Sequence, residues 1–359
     1  MRQPTRHTLF MMAVLLLVVG VARTEEVPAP RPVLFQTRTM GTVGSVTLVT
    51  ADSAAVADLA YAALVSFHHT DSLMTNWTDI SETARINRLA GIRTVTLEPE
   101  VNRVLTLAGQ VGALSGGAFD LTVEPLVRLW GFLEGQPQVP TQAEITAALA
   151  PVGWDQVEHD GKAGTLRFRH PDTRIDLGGI AKGHGVDQVR NILLTAGVTN
   201  ALVDLSGNMV ALGDATGSSG WTLGIMDPEK KHDYLGSIVL RNEAVATSGN
   251  YMQYVMNAGT ADSRKFGHIL DPTTGWPADG MASATVVAAD AAVADAWATA
   301  FIVLNPERAR RLAREHDELQ VILIAPVVDG TQVIWVEEAL REKFALKEGL
   351  TETVAVRYF

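Results

Sequence analysis

Short strand-like runs recur along this chain, at 44–50, 164–170, 200–205, 221–225, 237–240, 282–287, 319–325 and 332–337. In the second half they come in neighbouring groups and do not alternate one by one with helices. Antiparallel strands join through short turns, whereas parallel neighbours need a long crossover. The grouping therefore sets the fold class as α+β, with antiparallel or mixed sheets flanked by helices, and disfavours a doubly wound nucleotide fold. Helical patterns fill the intervals. Val56, Leu59, Ala63 and Phe67 recur at helical spacing, as do Val101, Val104, Leu105, Ala108 and Val111 after Pro99. Val186, Val189, Ile192 and Leu193 form a third stripe that stops before Gly197. A strongly apolar helix is expected over 291–304, and Asn305-Pro306 opens another, with Asn as the cap and Pro in the first turn. No fixed-period repeat is present, which excludes solenoids and propellers.

The 359 residues, 47% of them hydrophobic and 19% charged, can bury a sizeable core. A net charge of −11 with no Lys/Arg-rich run argues against nucleic acid or an anionic membrane as partner. The absence of cysteine excludes disulfides, thiolate metal sites, cysteine nucleophiles and a lipid on an N-terminal cysteine. Any chemistry must come from oxygen, nitrogen and backbone groups. Residues 1–22 read as a signal peptide: Arg2, Arg6 and His7, then an uncharged apolar stretch over 9–21, with small Gly20 and Ala22 at the end. The stretch is shorter than the about 20 apolar residues of a membrane span. Cleavage and release into the periplasm are expected, with retention as an anchor the less favoured alternative. Residues 23–32, with three prolines, read as a linker, and 33–359 as one domain without a sharp internal boundary.

Two segments stand out chemically. Asp176-Leu-Gly-Gly-Ile-Ala-Lys182-Gly183 follows a strand-like run and precedes a helix. Its glycines expose backbone, and Lys182 adds charge where a helix N-terminus is already positive, a phosphate cradle in outline. Taken alone, it fits a Gly-rich strand-to-helix corner equally well. Asp295 and Thr299 lie four apart on the apolar helix, so a carboxylate and a hydroxyl share one face. Both are hard oxygen ligands of the kind Mg²⁺ takes, yet a solvent-facing Asp and a Thr bonded to its own helix satisfy the same spacing. The Gly-rich stretch 214–220 reads as a plain turn. Adjacent His68 and His69 point to different helix faces and read as surface residues. Ser206, Ser248 and His268 lack a Gly-x-Ser-x-Gly elbow, which leaves a hydrolase triad unsupported.

Read in order, the chain resembles the ApbE family of FAD:protein FMN transferases. The resemblance runs through Thr39-Met40-Gly41-Thr42, Met74-Thr-Asn-Trp77, Ser81-x-x-x-Arg85-Ile-Asn87, Gly117-Ala-Phe-Asp120-Leu-Thr-Val-x-Pro125-Leu and the Asp176–Gly183 block. It continues through Leu205-Ser-Gly-Asn208, Thr247-Ser-Gly249-x-Tyr251, His268-Ile-Leu-Asp271-Pro-x-Thr-Gly275 and Ala294-Asp295-Ala-x-Ala-Thr299-Ala. Each block is weak alone, and their shared order is what carries the likeness.

The resemblance implies an α+β protein that binds FAD as substrate and, with Mg²⁺, joins FMN through its phosphate to a Thr or Ser hydroxyl of an acceptor protein, releasing AMP. Met40, Trp77, Ala118, Phe119, Asp120, Asp176 and Lys182 fall on FAD-contacting positions, and Ser248 and His268 join that set. The Gly179 carbonyl, Asp295 and Thr299 fall on the metal ligands, and His268 with Lys182 on the catalytic positions. The implied acceptor is an exported or membrane electron-transfer subunit of a respiratory system. An FAD pyrophosphatase, in which water replaces the acceptor hydroxyl, and a flavin-binding assembly protein without turnover are the alternatives.

Overall fold

The computed structural model describes residues 29–133, 137–230, 232–250, 254–256 and 265–359. Nine strands make the main sheet: β1 (Arg31–Thr39), β2 (Thr42–Thr50), β3 (Ala201–Leu205), β4 (Asn208–Leu212), β5 (Glu243–Gly249), β6 (Ser283–Ala288), β7 (Gln320–Ile324), β8 (Gln332–Val336) and β9 (Val354–Tyr358). Their order across the sheet is their order along the chain. Every neighbouring pair is antiparallel except β8 and β9, so the sheet is mixed, as the grouped runs imply. Two-residue turns close β1–β2 and β3–β4. Met40 and Gly41 have φ of 49° and 69°, Ser206 and Gly207 of 55° and 91°. Left-handed conformation at both central residues gives the turn a twist that matches the strands.

Helices α1 (Ala57–Met74), α2 (Glu82–Leu89), α3 (Pro99–Leu114), α4 (Glu124–Leu129), α5 (Gln142–Leu149) and α6 (Ala181–Thr195) all lie between β2 and β3. Helices α7 (Ala291–Val303) and α8 (Pro306–Arg314) connect β6 to β7. Helices α1, α6 and α7 cover one face of the sheet. A three-stranded sheet of Trp221–Met226, Tyr234–Leu240 and Phe344–Leu346 covers the other. The central strands are therefore buried on both sides. Ala244 and Ala246 of β5 pack toward the helices while Val245 packs toward the small sheet, and β6 is buried at every residue. Such strands read as continuous apolar runs, not as an alternation.

The helix stripes expected from the sequence are present with small shifts; α7 ends at Val303, and Asn305 caps α8 by accepting the Arg308 N–H at 2.9 Å. His68 and His69 do diverge, toward the Thr37 hydroxyl and Glu100 respectively. The linker expected over 23–32 needs correction, because β1 begins at Arg31 and pairs Pro32 with Val49. Proline lacks the donor that a central strand requires, and β1 is an edge strand, where that loss is tolerated. The signal segment 1–22 lies outside the described residues. No described helix is long and apolar enough to cross a membrane.

What positions the site is the contact of α6 with α7. A Cβ on Gly183 would lie 2.2 Å from the Ala291 carbonyl oxygen, so only glycine permits this approach. From the next turn of α6, buried Asp187 accepts the Ala291 and Ala292 N–H groups, both at 2.9 Å, and closes the N-terminus of α7. Arg190 adds an ion pair to Asp187 at 3.3 Å and one to Asp290 at 2.6 Å.

Two outcomes follow from this packing. Gly183→Ala gains helix propensity, but the clash dominates; we expect a loss of about 1–3 kcal/mol in thermal or denaturant unfolding, and an unchanged midpoint would refute the close contact. Burial holds the Asp187 carboxyl at about 6, above its ordinary 3.8, against the opposing pull of Arg190 and the two N–H groups. The folded chain thus binds this proton more tightly than the unfolded one, and the contribution of Asp187 to stability falls as pH rises from 3.8 to about 6. The Tm of Asp187→Asn relative to the parent should climb across that window and level off above it. A pH-independent difference would contradict the assignment.

Candidate functional site

The loop entering α6 is fixed before any ligand is considered. Asn87, at the end of α2, clasps the backbone of Ile175 from both sides: its Oδ1 accepts the Ile175 N–H at 2.8 Å and its Nδ2 donates to the Ile175 carbonyl at 2.9 Å. Asn76 donates to the same carbonyl at 3.1 Å. The next residue, Asp176, donates its N–H to the Leu121 carbonyl at 2.8 Å, and its Oδ1 accepts the Gly178 N–H at 2.8 Å. Three segments distant in sequence thereby converge on one turn. Burial raises the Asp176 carboxyl above the ordinary range, opposed by the Gly178 N–H and by the charges of Lys182 and Arg128.

Beyond that turn the chain brings the proposed phosphate and metal residues together. Asp295 is 3% exposed in the most apolar helix, and its Oδ2 accepts the Gly183 N–H at 2.9 Å. Its carboxyl is raised by burial and lowered by the charge of Lys182, then by the Gly183 N–H. Lys182 donates to the Gly178 carbonyl at 3.2 Å. A Cβ on Gly179 would stand 3.3 Å from Thr299 Oγ1 and 3.2 Å from the Phe119 ring, so these three residues are neighbours. Ser248, on β5, holds its Oγ 3.4 Å from Thr299 Oγ1. Among the described residues no three His, Cys, Asp or Glu side chains cluster as a metal site. One buried carboxylate, one hydroxyl and adjacent exposed backbone are instead a hard-oxygen set, which fits Mg²⁺ and leaves room for phosphate oxygens and water.

Around this cluster the remaining candidates take different positions. Ala118 and Phe119 are buried, and Phe119 forms a wall against Gly179 and does not present an open stacking face. Asp120 caps the following turn, its Oδ1 accepting the Thr122 N–H at 2.8 Å and the Thr122 hydroxyl at 2.7 Å, and burial raises its carboxyl. Trp77 is 64% exposed and offers the larger free aromatic surface. Met40 occupies the left-handed position of the β1–β2 turn, where its N–H donates to Asp71 of α1 at 2.8 Å. A methionine there is strained unless held, and Asp71 holds it. His268 begins a hairpin in which Asp271 N–H donates to the Trp276 carbonyl and Ala278 N–H to the Ile269 carbonyl. Its ring stands edge-on to Phe132 at 6.4 Å. Asn250 ties that hairpin to β5 by donating to the Ala278 carbonyl at 2.6 Å.

Phe119, Gly179 and Thr299 are thus neighbours, Ser248 reaches Thr299, and Lys182 acts electrostatically on both Asp176 and Asp295. Met40 and Trp77 lie on the turns that follow β1 and α1, Met40 packing against the core cluster that includes Ala118 and Phe119, and His268 lies on its own hairpin. The residues that hold these in place, Asn76, Asn87, Asp71, Asn250 and Asp187, are not among the residues singled out by the sequence. Asn76 and Asn87 lie inside the quoted motifs, and an Asn in the last turn of a short helix was the available signal for Asn87. Nothing local marks Asp187 as the cap of a helix more than 100 positions away.

With this geometry in view, comparisons identify relatives. The model of the ApbE family matches residues 40–323. An FAD:protein FMN transferase of Klebsiella pneumoniae is 30% identical over 342 residues, covering 94% of this chain and 96% of that one. One of Vibrio cholerae is 33% identical over 261 residues, 72% of this chain and 76% of its own. Among solved structures, the flavin transferase ApbE of Vibrio cholerae superposes with a TM-score of 0.77 at 28% identity, covering 88% of this chain and 99% of that one. The flavinyl transferase ApbE of Pseudomonas stutzeri gives 0.77 at 29% identity, with 90% and 99% covered. The match in sequence and fold extends across the whole of the site just described, and the chain belongs to the ApbE family.

Proposed function

We propose that this chain is an FAD:protein FMN transferase. It moves FMN from FAD onto a Thr or Ser hydroxyl of an exported electron-transfer protein of a respiratory system, through a phosphoester bond. The observation that carries this reading is the meeting of Lys182, Gly179, Asp295 and Thr299 at the contact of α6 and α7. In the reaction the acceptor Oγ bonds to the FMN phosphorus, the bridging phosphorus–oxygen bond to AMP breaks, and AMP leaves with the electron pair. Asp295, Thr299 and the Gly179 carbonyl would hold Mg²⁺, which supplies positive charge beside the phosphates. Lys182 supplies a second cation, at a helix N-terminus whose backbone field has the same sign. Asp176, fixed through the Asn87 clasp on Ile175, orients the turn against which the nucleotide lies. His268 takes the proton from the acceptor Oγ, as a neutral imidazole can. Trp77 provides a ring face for stacking. The N-terminal segment 1–22 would deliver the chain to the periplasm, where such acceptors are exposed.

The test is direct: the chain is incubated with FAD, Mg²⁺ and a candidate periplasmic acceptor, and covalent flavin fluorescence is read in a denaturing gel. Labelled acceptor is expected; free FMN and AMP with no label would move the reading to a pyrophosphatase. In the same assay Asp295→Ala should abolish labelling while the fold persists, since it removes the only charge among the metal ligands. Thr299→Val should reduce labelling less, because a neutral oxygen contributes less to a divalent ion. Full activity of Asp295→Ala at limiting Mg²⁺ would end the metal assignment.

His268→Gln should lower kcat by roughly 10²–10⁴ with little change in FAD affinity, as befits a base that acts in the transition state. The parent rate should fall in acid as the imidazole becomes charged. An unchanged pH profile in a fully active variant would remove the role from His268.

A further inference from the structure

Asn208 is 2% exposed, and its Oδ1 is buried without a hydrogen-bond partner. Native chains satisfy nearly all such groups, and an exception calls for a cause, of which a ligand that completes the set is one. Asn76 and Asn250 also leave Oδ1 unpartnered, but each spends its Nδ2 on a backbone carbonyl and so has a structural task. For Asn208 the surroundings point elsewhere.

Its position follows from the topology. Helix α6 ends at Thr195, and β3 begins at Ala201 after a short reversal, so β3 runs back along α6 and finishes near the helix N-terminus. The Ser206-Gly207 turn then starts β4 at Asn208, opposite Leu205. Side chains alternate along a strand, so Asn208 shares the face of Val210, which packs with Val186, Val189 and Ala291 of α6 and α7. Strand β4 contacts both helices. On that same face, one strand over, Ser248 reaches Thr299. Asn208 therefore lies under the end of α6 that carries Lys182 and Gly183, and faces the helix layer.

We propose that Asn208 is a further binding residue of this site and that its amide takes a hydroxyl group of the substrates. The proposal rests on the transferase reading above and adds to it a residue and the chemistry it recognises. A hydroxyl is the fitting ligand because it donates to Oδ1; a phosphate oxygen only accepts and would leave Oδ1 unsatisfied. Two sources carry hydroxyls here, the sugar and ribityl groups of FAD and the Thr or Ser of the acceptor.

The test uses Asn208→Leu in the full chain, which replaces the amide by an apolar group of similar size. Removing a buried unpaired oxygen should raise Tm by about 2 °C, while kcat/KM for FMN transfer falls roughly tenfold to a hundredfold. Equilibrium titration with FAD separates the sources. A weakened FAD Kd assigns the hydroxyl to FAD; an unchanged Kd with a raised acceptor KM or lowered kcat assigns it to the acceptor. Either supports the proposal. Raised Tm with unchanged Kd and kcat/KM would show an orphan of structure only and overturn it. Asn208→Ala deletes the same oxygen without added volume, and loss of folding in both variants would assign the residue to the core and also overturn the proposal. Failure of the unaltered chain to label any acceptor would sink the transferase reading itself, and is visible before any variant is compared.

Discussion

One hydrogen bond, from the Gly183 N–H to Asp295 Oδ2 at 2.9 Å, lies at the centre of this molecule. It exists because residue 183 has no side chain, so α6 can press its first turn against the Ala291 backbone of α7. A carboxylate inside a helix of alanines, Trp297, Phe301 and Ile302 is costly to bury alone. The backbone donor and the nearby Lys182 offset part of that cost and leave the second carboxylate oxygen for other work. Asp187, one turn further along α6, fixes the N-terminus of α7, so the two helices keep the register that places Thr299 beside Gly179.

The electrostatics of the cluster follow from this packing. Asp176 and Asp295 are both raised by burial, and Lys182 acts on each of them. Asp176 also feels the charge of Arg128, whereas Lys182 is the one cation acting on Asp295, so a divalent ion held there, as proposed, would favour the charged carboxylate. Such a cation would also offset the repulsion between bare carboxylates and a pyrophosphate. A chain with net charge −11 would thus bind an anionic substrate through a local inversion of charge that its overall composition does not announce.

How far the sequence reveals this structure depends on whether the signal is local. Branched and aromatic runs such as 319–325 are legible as strands, and helix ends marked by Asn305 or Gly197 are legible as stops. Strand β5, Glu-Ala-Val-Ala-Thr-Ser-Gly, is not, because small residues are chosen there to let α7 approach, and they erase the β signature. Strand β1 is hidden by Pro32 at its start, which an edge tolerates. For the site, the spacing of Asp295 and Thr299 gives their shared face, but their meeting with Gly179 is tertiary and entered the reading only through family likeness. The asparagines that clasp Ile175 carry no charge and no motif logic of their own; only the fold shows that they set the turn at Asp176.

The sheet explains why such scattered residues can meet. Its nine strands keep chain order, so the long insertion between β2 and β3 brings α1 and α6 onto one face without any strand crossing another. The segment from β5 to β7 then lays α7 on that same face beside α6. Residues from the first turn of α6, the middle of α7 and the end of β5 thereby occupy one layer, while the opposite face is closed by the small sheet and carries none of the candidate residues. Loops and helix starts supply the polar groups, and the doubly buried strands supply a rigid floor. A transfer between two large substrates benefits from that division, since phosphoryl transfer depends chiefly on holding charges and reacting atoms in fixed positions.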